Sequence, residues 1–211
     1  SFYTEAPNRV APLIDKQRVY VGSDDGYFYC LDARNGNLLW KYSPVAGHRR
    51  LPGNGRLVSA FPVRTGAVIH NDIVYFMAGL FPKEGVFLCT IHPETGREIW
   101  KKQQPEISPQ GYPVIAHDKL YVPNSRSRPF VFSLENGELL EKYDGSGGVY
   151  LTFSEDALIY GTHDTGQLSV RQTDTTDPLK FALSGLQFVS NSDYYIVASE
   201  NMLYAIHKVN Y

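Results

Sequence analysis

A phrase of about forty residues is written more than once in this chain. VYVGSDDGYFYCLDARNGNLLW at Val19 to Trp40 returns as VYFMAGLFPKEGVFLCTIHPETGREIW at Val74 to Trp100. Internal repetition of this period restricts a chain to an array of one small unit, because a single unit cannot bury its own apolar faces and its neighbours must do so. Three further copies are more diverged. Leu120-Tyr121 through Glu135-Asn136-Gly137 matches Val19-Tyr20 through Arg34-Asn35-Gly36 at a constant offset of 101 residues, with Glu141 where Trp40 stands. Leu158 to Gly161 with Gln167 to Val170 supply a fourth copy, and Tyr195 to Ser199 with Leu203 to Ile206 a fifth.

Within each copy the residues read as strands. Val19 to Val21, Tyr27 to Leu31 and Leu38 to Tyr42 are short runs rich in β-branched and aromatic residues, punctuated by Asp-Gly and Asn-Gly pairs that favour tight turns. No segment carries helical apolar spacing beyond one turn. The 15 Tyr and 11 Phe suit sheets packed face to face, where large rings fill the space between them. The expectation is an all-β, β-propeller fold of four-stranded antiparallel blades, with about five repeat units in a single domain or propeller segment over 1–211. The units fall at approximately 8–44, 64–102, 111–143, 148–183 and 186–211. Five units fit a small closed ring or part of a larger one, and Phe2 to Glu5 read as a spare strand for closing it.

The pattern aromatic-Val-Gly-Ser-x-Asp-Gly-x-aromatic-Tyr-x-Leu-Asp-x-x-x-Gly-x-x-x-Trp, carried by Tyr20 to Trp40, resembles the pyrroloquinoline-quinone-type repeat of quinoprotein-like β-propellers. That family includes quinone-dependent alcohol dehydrogenases, a periplasmic lipoprotein of the outer-membrane assembly machine and many uncharacterised bacterial propellers. RRLPGNGRLVSAFPVRTG and ISPQGYPV are similar to the last group more than to the catalytic dehydrogenases. The resemblance implies that Trp40 and Trp100 dock between adjacent blades, and that the setting is periplasmic or otherwise extracytoplasmic. Glu141 departs from the pattern and puts regular packing of the third unit in question.

Strand parity places the candidate site. With four antiparallel strands per blade, the loops between second and third strands and those between blades leave on one face, and the remaining turns on the other. The long segments all fall in the first group: Ser43 to Pro62, Leu80 to Gly85, Gln103 to Gln110, Asn124 to Pro129 and Thr162 to Gly166. Function concentrates in long loops on a rigid scaffold. Arg49, Arg50, Arg56, Arg126, Arg128 and His163 on this face are the candidate ligand- or partner-binding residues, since guanidinium groups grip carboxylates and phosphates through two parallel bonds. The competing reading makes the same arginines anchors that tie loop carbonyls and nearby acids together.

Other chemistry is thinly represented. A formal charge of -2 argues against a general nucleic-acid binder, and no apolar run is long enough to insert in a membrane. Ser1 to Glu5 lacks the basic start and apolar core of a signal peptide. Cys30 and Cys89 belong to different units and, by strand parity, point to opposite faces of their sheets, so free buried thiols are expected. His70 and His117 occupy equivalent turns, and no HxH or HExxH spacing marks a metal site. The expected function is a non-catalytic scaffold without cofactor that recognises a protein, peptide or small anionic ligand on its long-loop face. The alternative is an enzyme resembling the pyrroloquinoline-quinone-dependent dehydrogenases, or a structural part of one.

Overall fold

A computed structural model describes residues 1–47, 49–53, 55–125, 127–143, 148, 150–154, 157–162, 167–173, 179–185 and 187–208. The first sheet is a meander of β1 (Leu13–Asp15), β2 (Arg18–Gly22), β3 (Phe28–Asp32) and β4 (Leu38–Tyr42), all antiparallel. A separate hairpin follows, β5 (Arg50–Gly53) with β6 (Arg56–Ser59). The meander then repeats in β7 (Val68–His70), β8 (Ile73–Ala78), β9 (Phe87–Ile91) and β10 (Glu98–Gln103), and again in β11 (Val114–Ala116), β12 (Lys119–Asn124), β13 (Ser127–Ser133) and β14 (Leu139–Lys142). A fourth copy comprises β15 (Tyr150–Ser154), β16 (Ala157–Thr162), β17 (Gln167–Gln172) and β18 (Leu179–Ser184). Three strands close the described chain: β19 (Gln187–Ser190), β20 (Tyr194–Ala198) and β21 (Leu203–His207). These sheets are the blades of a propeller.

Each pair of neighbouring sheets owns one core, which is why the array needs repetition to be stable. Tyr20, Phe28 and Cys30 of the first sheet pack with Val74, Phe76, Cys89 and Ile91 of the second. Phe28 and Phe76 lie face to face across that seam, with ring centroids 4.1 Å apart. Tyr75, Met77 and Leu88 then meet Leu120, Val122 and Phe132, and Tyr121, Val131 and Tyr143 meet Leu151, Leu158 and Tyr160. Ile159, Leu168 and Val170 meet Phe188, Tyr195 and Val197. The two cysteines do lie on opposite faces of their sheets, and that parity delivers both into the same seam, because one sheet's forward face meets the next sheet's rear face. Both are free and fully buried.

The outer strands carry the link between blades. Trp40 donates from Nε1 to the Pro93 carbonyl at 3.1 Å, and its ring lies over Gly96, where an added Cβ would come within 2.6 Å of it. Trp100 covers Gly137 in the same way, at 2.7 Å. Gly96 and Gly137 have φ of 67° and 68°, so each glycine serves both the left-handed turn and the ring above it. Both tryptophans are half-buried rather than sealed. In the third blade Glu141 takes the Trp position opposite Val131 without disturbing the sheet. Arg171 of the next blade binds it at 3.0 Å and lies 4.1 Å above the Tyr143 ring, so a cation stacked on an aromatic stands where an indole stands elsewhere.

Several expectations change. Phe2 to Glu5 form no strand; they run over the first blade, with Phe2 against Tyr29 and Glu5 N–H on the Asp25 carboxylate. The tight turns with two positive φ values are Lys16-Gln17, Asn71-Asp72 and His117-Asp118, not the Asn-Gly pairs. Asn35-Gly36 sits in a longer turn, where Gly36 N–H reaches the Asp32 carbonyl. The segment from Ser43 to Pro62 is not open loop, since it contains β5 and β6.

Candidate functional site

Loops that leave the second strand of one blade and those that enter the next are tied together around Asp24. Asp24 is completely buried, yet both its oxygens are taken by guanidinium groups. Arg64 grips it side-on, Nε to Oδ1 at 2.7 Å and Nη2 to Oδ2 at 3.1 Å. Arg9 adds one bond from Nε to Oδ2 at 2.9 Å. Its backbone joins the same web: Asp24 N–H donates to Pro7, and Ser59 N–H donates to Asp24. Asp25 accepts from Tyr27 N–H and from the Tyr29 hydroxyl, whose proton burial and this bond hold firmly in place.

Above this carboxylate stands the hairpin of β5 and β6. Leu51, Pro52, Gly53 and Val58 of the hairpin, with Phe81 from the second blade and Arg9 and Arg64 below, line a cleft of about 220 Å³. Leu57 is 59% exposed on the hairpin and Phe81 44% exposed beside it. The cleft thus sets the exposed Phe81 ring among residues that include Arg9 and Arg64.

The expected site residues are distributed unevenly. Arg49 pairs with Glu84, and Arg50 pairs with Glu5 at 2.7 Å, so both tether loops to neighbours. Arg56 opens β6 and Arg128 lies within β13, so neither is a loop residue. Arg126 and His163 fall outside the described residues. Ser108 completes the loop web, its hydroxyl on the Leu80 carbonyl and its N–H on Asn124 Oδ1. Arg9 and Arg64, the residues that meet at the cleft, were not singled out by sequence reasoning. The available signal was an Asp-Asp pair with one arginine well before it and one well after it in the chain, which no periodicity converts into a contact.

A second cleft, of about 290 Å³, lies between the first two blades and is lined by Asp15, Lys16, Arg18, Tyr20, Asp72, His92, Pro93 and Glu94. Its charges are mixed and largely paired, with Lys16 on Asp72 at 2.7 Å and Arg18 facing Glu94 at 3.7 Å. Among the described residues no cluster of three or more His, Cys, Asp or Glu is arranged to hold a metal, and no helix is long and apolar enough to cross a membrane.

Comparison with known proteins gives a consistent picture. A family model described as outer membrane protein assembly factor BamB matches residues 5–208. A curated relative from Alkalilimnicola ehrlichii, an outer membrane protein assembly factor BamB, is 26% identical over 144 residues, covering 67% of this chain and 34% of the relative. The crystal structure of BamB from Moraxella catarrhalis superposes with a TM-score of 0.66 at 16% identity, over 93% of this chain and 57% of that one. The quinohemoprotein alcohol dehydrogenase of Comamonas testosteroni gives 0.66 at 14% identity, over 96% and 42%. At such identities the two structures share the fold alone. The chain thus spans about a third of the curated relative and just over half of the Moraxella structure.

Proposed function

We propose that this chain, which belongs to the outer membrane protein assembly factor BamB family, is an extracytoplasmic scaffold whose long-loop surface holds a protein partner. The hairpin of β5 and β6 carries the reading. It raises Leu57 into solvent and, with Phe81, walls a cleft floored by Arg9 and Arg64. An interface gains from an aromatic anchor beside arginine, and the cleft sets Phe81 with Arg9 and Arg64. The relatives' description as assembly factors supports a protein as the partner class. The likeness to the quinohemoprotein dehydrogenase extends to the fold, and its chemistry does not follow from that.

The test is site-specific photo-crosslinking in bacterial envelope extracts. A photoreactive residue replacing Leu57 is expected to yield discrete protein adducts, and one replacing the exposed Asn136 in a short turn is not. Adducts from Asn136 with none from Leu57 would remove the assignment.

A further inference from the structure

Two guanidinium groups meet one carboxylate at the floor of the cleft, and that imbalance identifies what the cleft takes. Arg64 spends Nε and Nη2 on Asp24. Arg9 spends only Nε, and among the described residues its two terminal amino groups have no protein partner. Arg9, Arg64 and Asp24 together carry one positive charge in excess, and the adjacent Asp25, engaged by the Glu5 and Tyr27 N–H groups and the Tyr29 hydroxyl, is not among the residues lining the cleft, so Arg9 brings the free donors there. The other walls, Leu51, Pro52, Val58 and Phe81, are apolar. An occupant must bring a negative acceptor and an apolar group together.

Size narrows the choice. At about 220 Å³ the cleft is smaller than the roughly 300–1,000 Å³ of sites for drug-sized ligands, and suits about one residue of a peptide. Along an extended segment successive side chains point to opposite faces, so an internal Asp or Glu and its apolar neighbour do not enter one small cleft together. A C-terminal apolar residue carries both features on a single Cα. Resting on the reading of this surface as protein-binding, we propose that the cleft captures the C-terminal carboxylate of a partner chain that ends in an apolar residue. The carboxylate bonds to Arg9 and Arg64, and the terminal side chain packs against Leu51, Val58 and Phe81.

Fluorescence anisotropy on the 211-residue chain tests this with a labelled Gly-Ser-Gly-Ser-Leu peptide. The free acid is expected to bind saturably, and C-terminal amidation to weaken it about tenfold, the effect of losing one charge-assisted pair. Arg9→Gln is expected to weaken it similarly and to remove most of its salt dependence, and Phe81→Ser to weaken acid and amide alike. Arg9 makes one bond and its side chain is 45% exposed, so an unchanged melting temperature verifies the fold of the variant. Equal binding of acid and amide, equal binding of a capped peptide with an internal Asp, or no saturable binding of the free acid would each overturn the proposal. Retained crosslinking from Leu57 in those cases leaves the scaffold reading standing; loss of that crosslinking with peptide binding intact removes the reading and keeps the cleft.

Discussion

At the scale of single residues, exposure separates charges that hold the fold from charges that decorate it. Asp24 has no contact with solvent and is held by two arginines, whereas Glu5 and Arg50 are 69% and 46% exposed around their ion pair. Breaking a buried pair by removing one partner leaves an uncompensated charge, at a cost of about 3–5 kcal/mol. Exposed pairs contribute about 0–1 kcal/mol. Asp24→Asn should therefore lower the unfolding free energy by about 3 kcal/mol, and Arg50→Gln by less than about 1 kcal/mol, in urea denaturation monitored by tryptophan fluorescence. Equal losses would show that the web around Asp24 is not what anchors these loops. Arg49 and Arg50, read from sequence as site residues, end in ion pairs with Glu84 and Glu5, because the acids that face them lie 35 and 45 positions away.

Among elements, the blade seam depends on a glycine as much as on a tryptophan. Gly137 has a left-handed φ of 68°, and a Cβ there would meet the Trp100 ring at 2.7 Å. Gly137→Ala should cost about 1–3 kcal/mol through strain and displacement of the ring. Trp100→Ala should cost about 3 kcal/mol, toward the low end for aromatic truncation because the ring is half-buried. The double variant is expected to lose less than the sum, since removing the ring removes the clash, and thermal melts of the three proteins measure it. Strict additivity would mean that the two residues do not act on each other. The repeat phrase made Trp100 legible, and the Gly of the turn legible as a turn; that each is the other's packing partner required the next blade to be in place.

For the whole molecule, the seams make stability sensitive to alkali. Burial pushes the Cys30 thiol up to about 11 and Cys89 further, and it raises the phenols of Tyr20, Tyr42 and Tyr143 as well. The folded state thus favours the neutral forms, while an unfolded thiol ionises near about 8.5 and a phenol near about 10. Stability from these groups is complete below pH 8 and is lost as pH rises through those values toward the folded ones. The melting temperature should fall steadily from pH 8 to pH 11, and thiol-reagent labelling at pH 8 should wait on global unfolding. Rapid labelling of two thiols in the native protein would contradict this. On the acid side, Arg34 holds Asp32 at about 2, so that contribution is present above about pH 4 and disappears only as pH falls toward 2.

The sequence by itself determined the repeating unit, the strands within it, the parity of their side chains and the rings that recur at each seam. All of these follow from local rules: alternation with period two, turn chemistry, and one unit's need for the next. Strand parity even set Cys30 and Cys89 on opposite faces, though not in one shared seam. The tertiary structure alone decided that a hairpin of β5 and β6 forms within Ser43 to Pro62, that Glu141 is received by Arg171, and that Arg9 and Arg64 converge on Asp24. The charge pairs among them join residues 15 to 40 positions apart, across loops or from one blade to the next, where no period relates position to partner. Which charges meet there is settled by the path of the backbone and by the cost of burying a carboxylate unpaired.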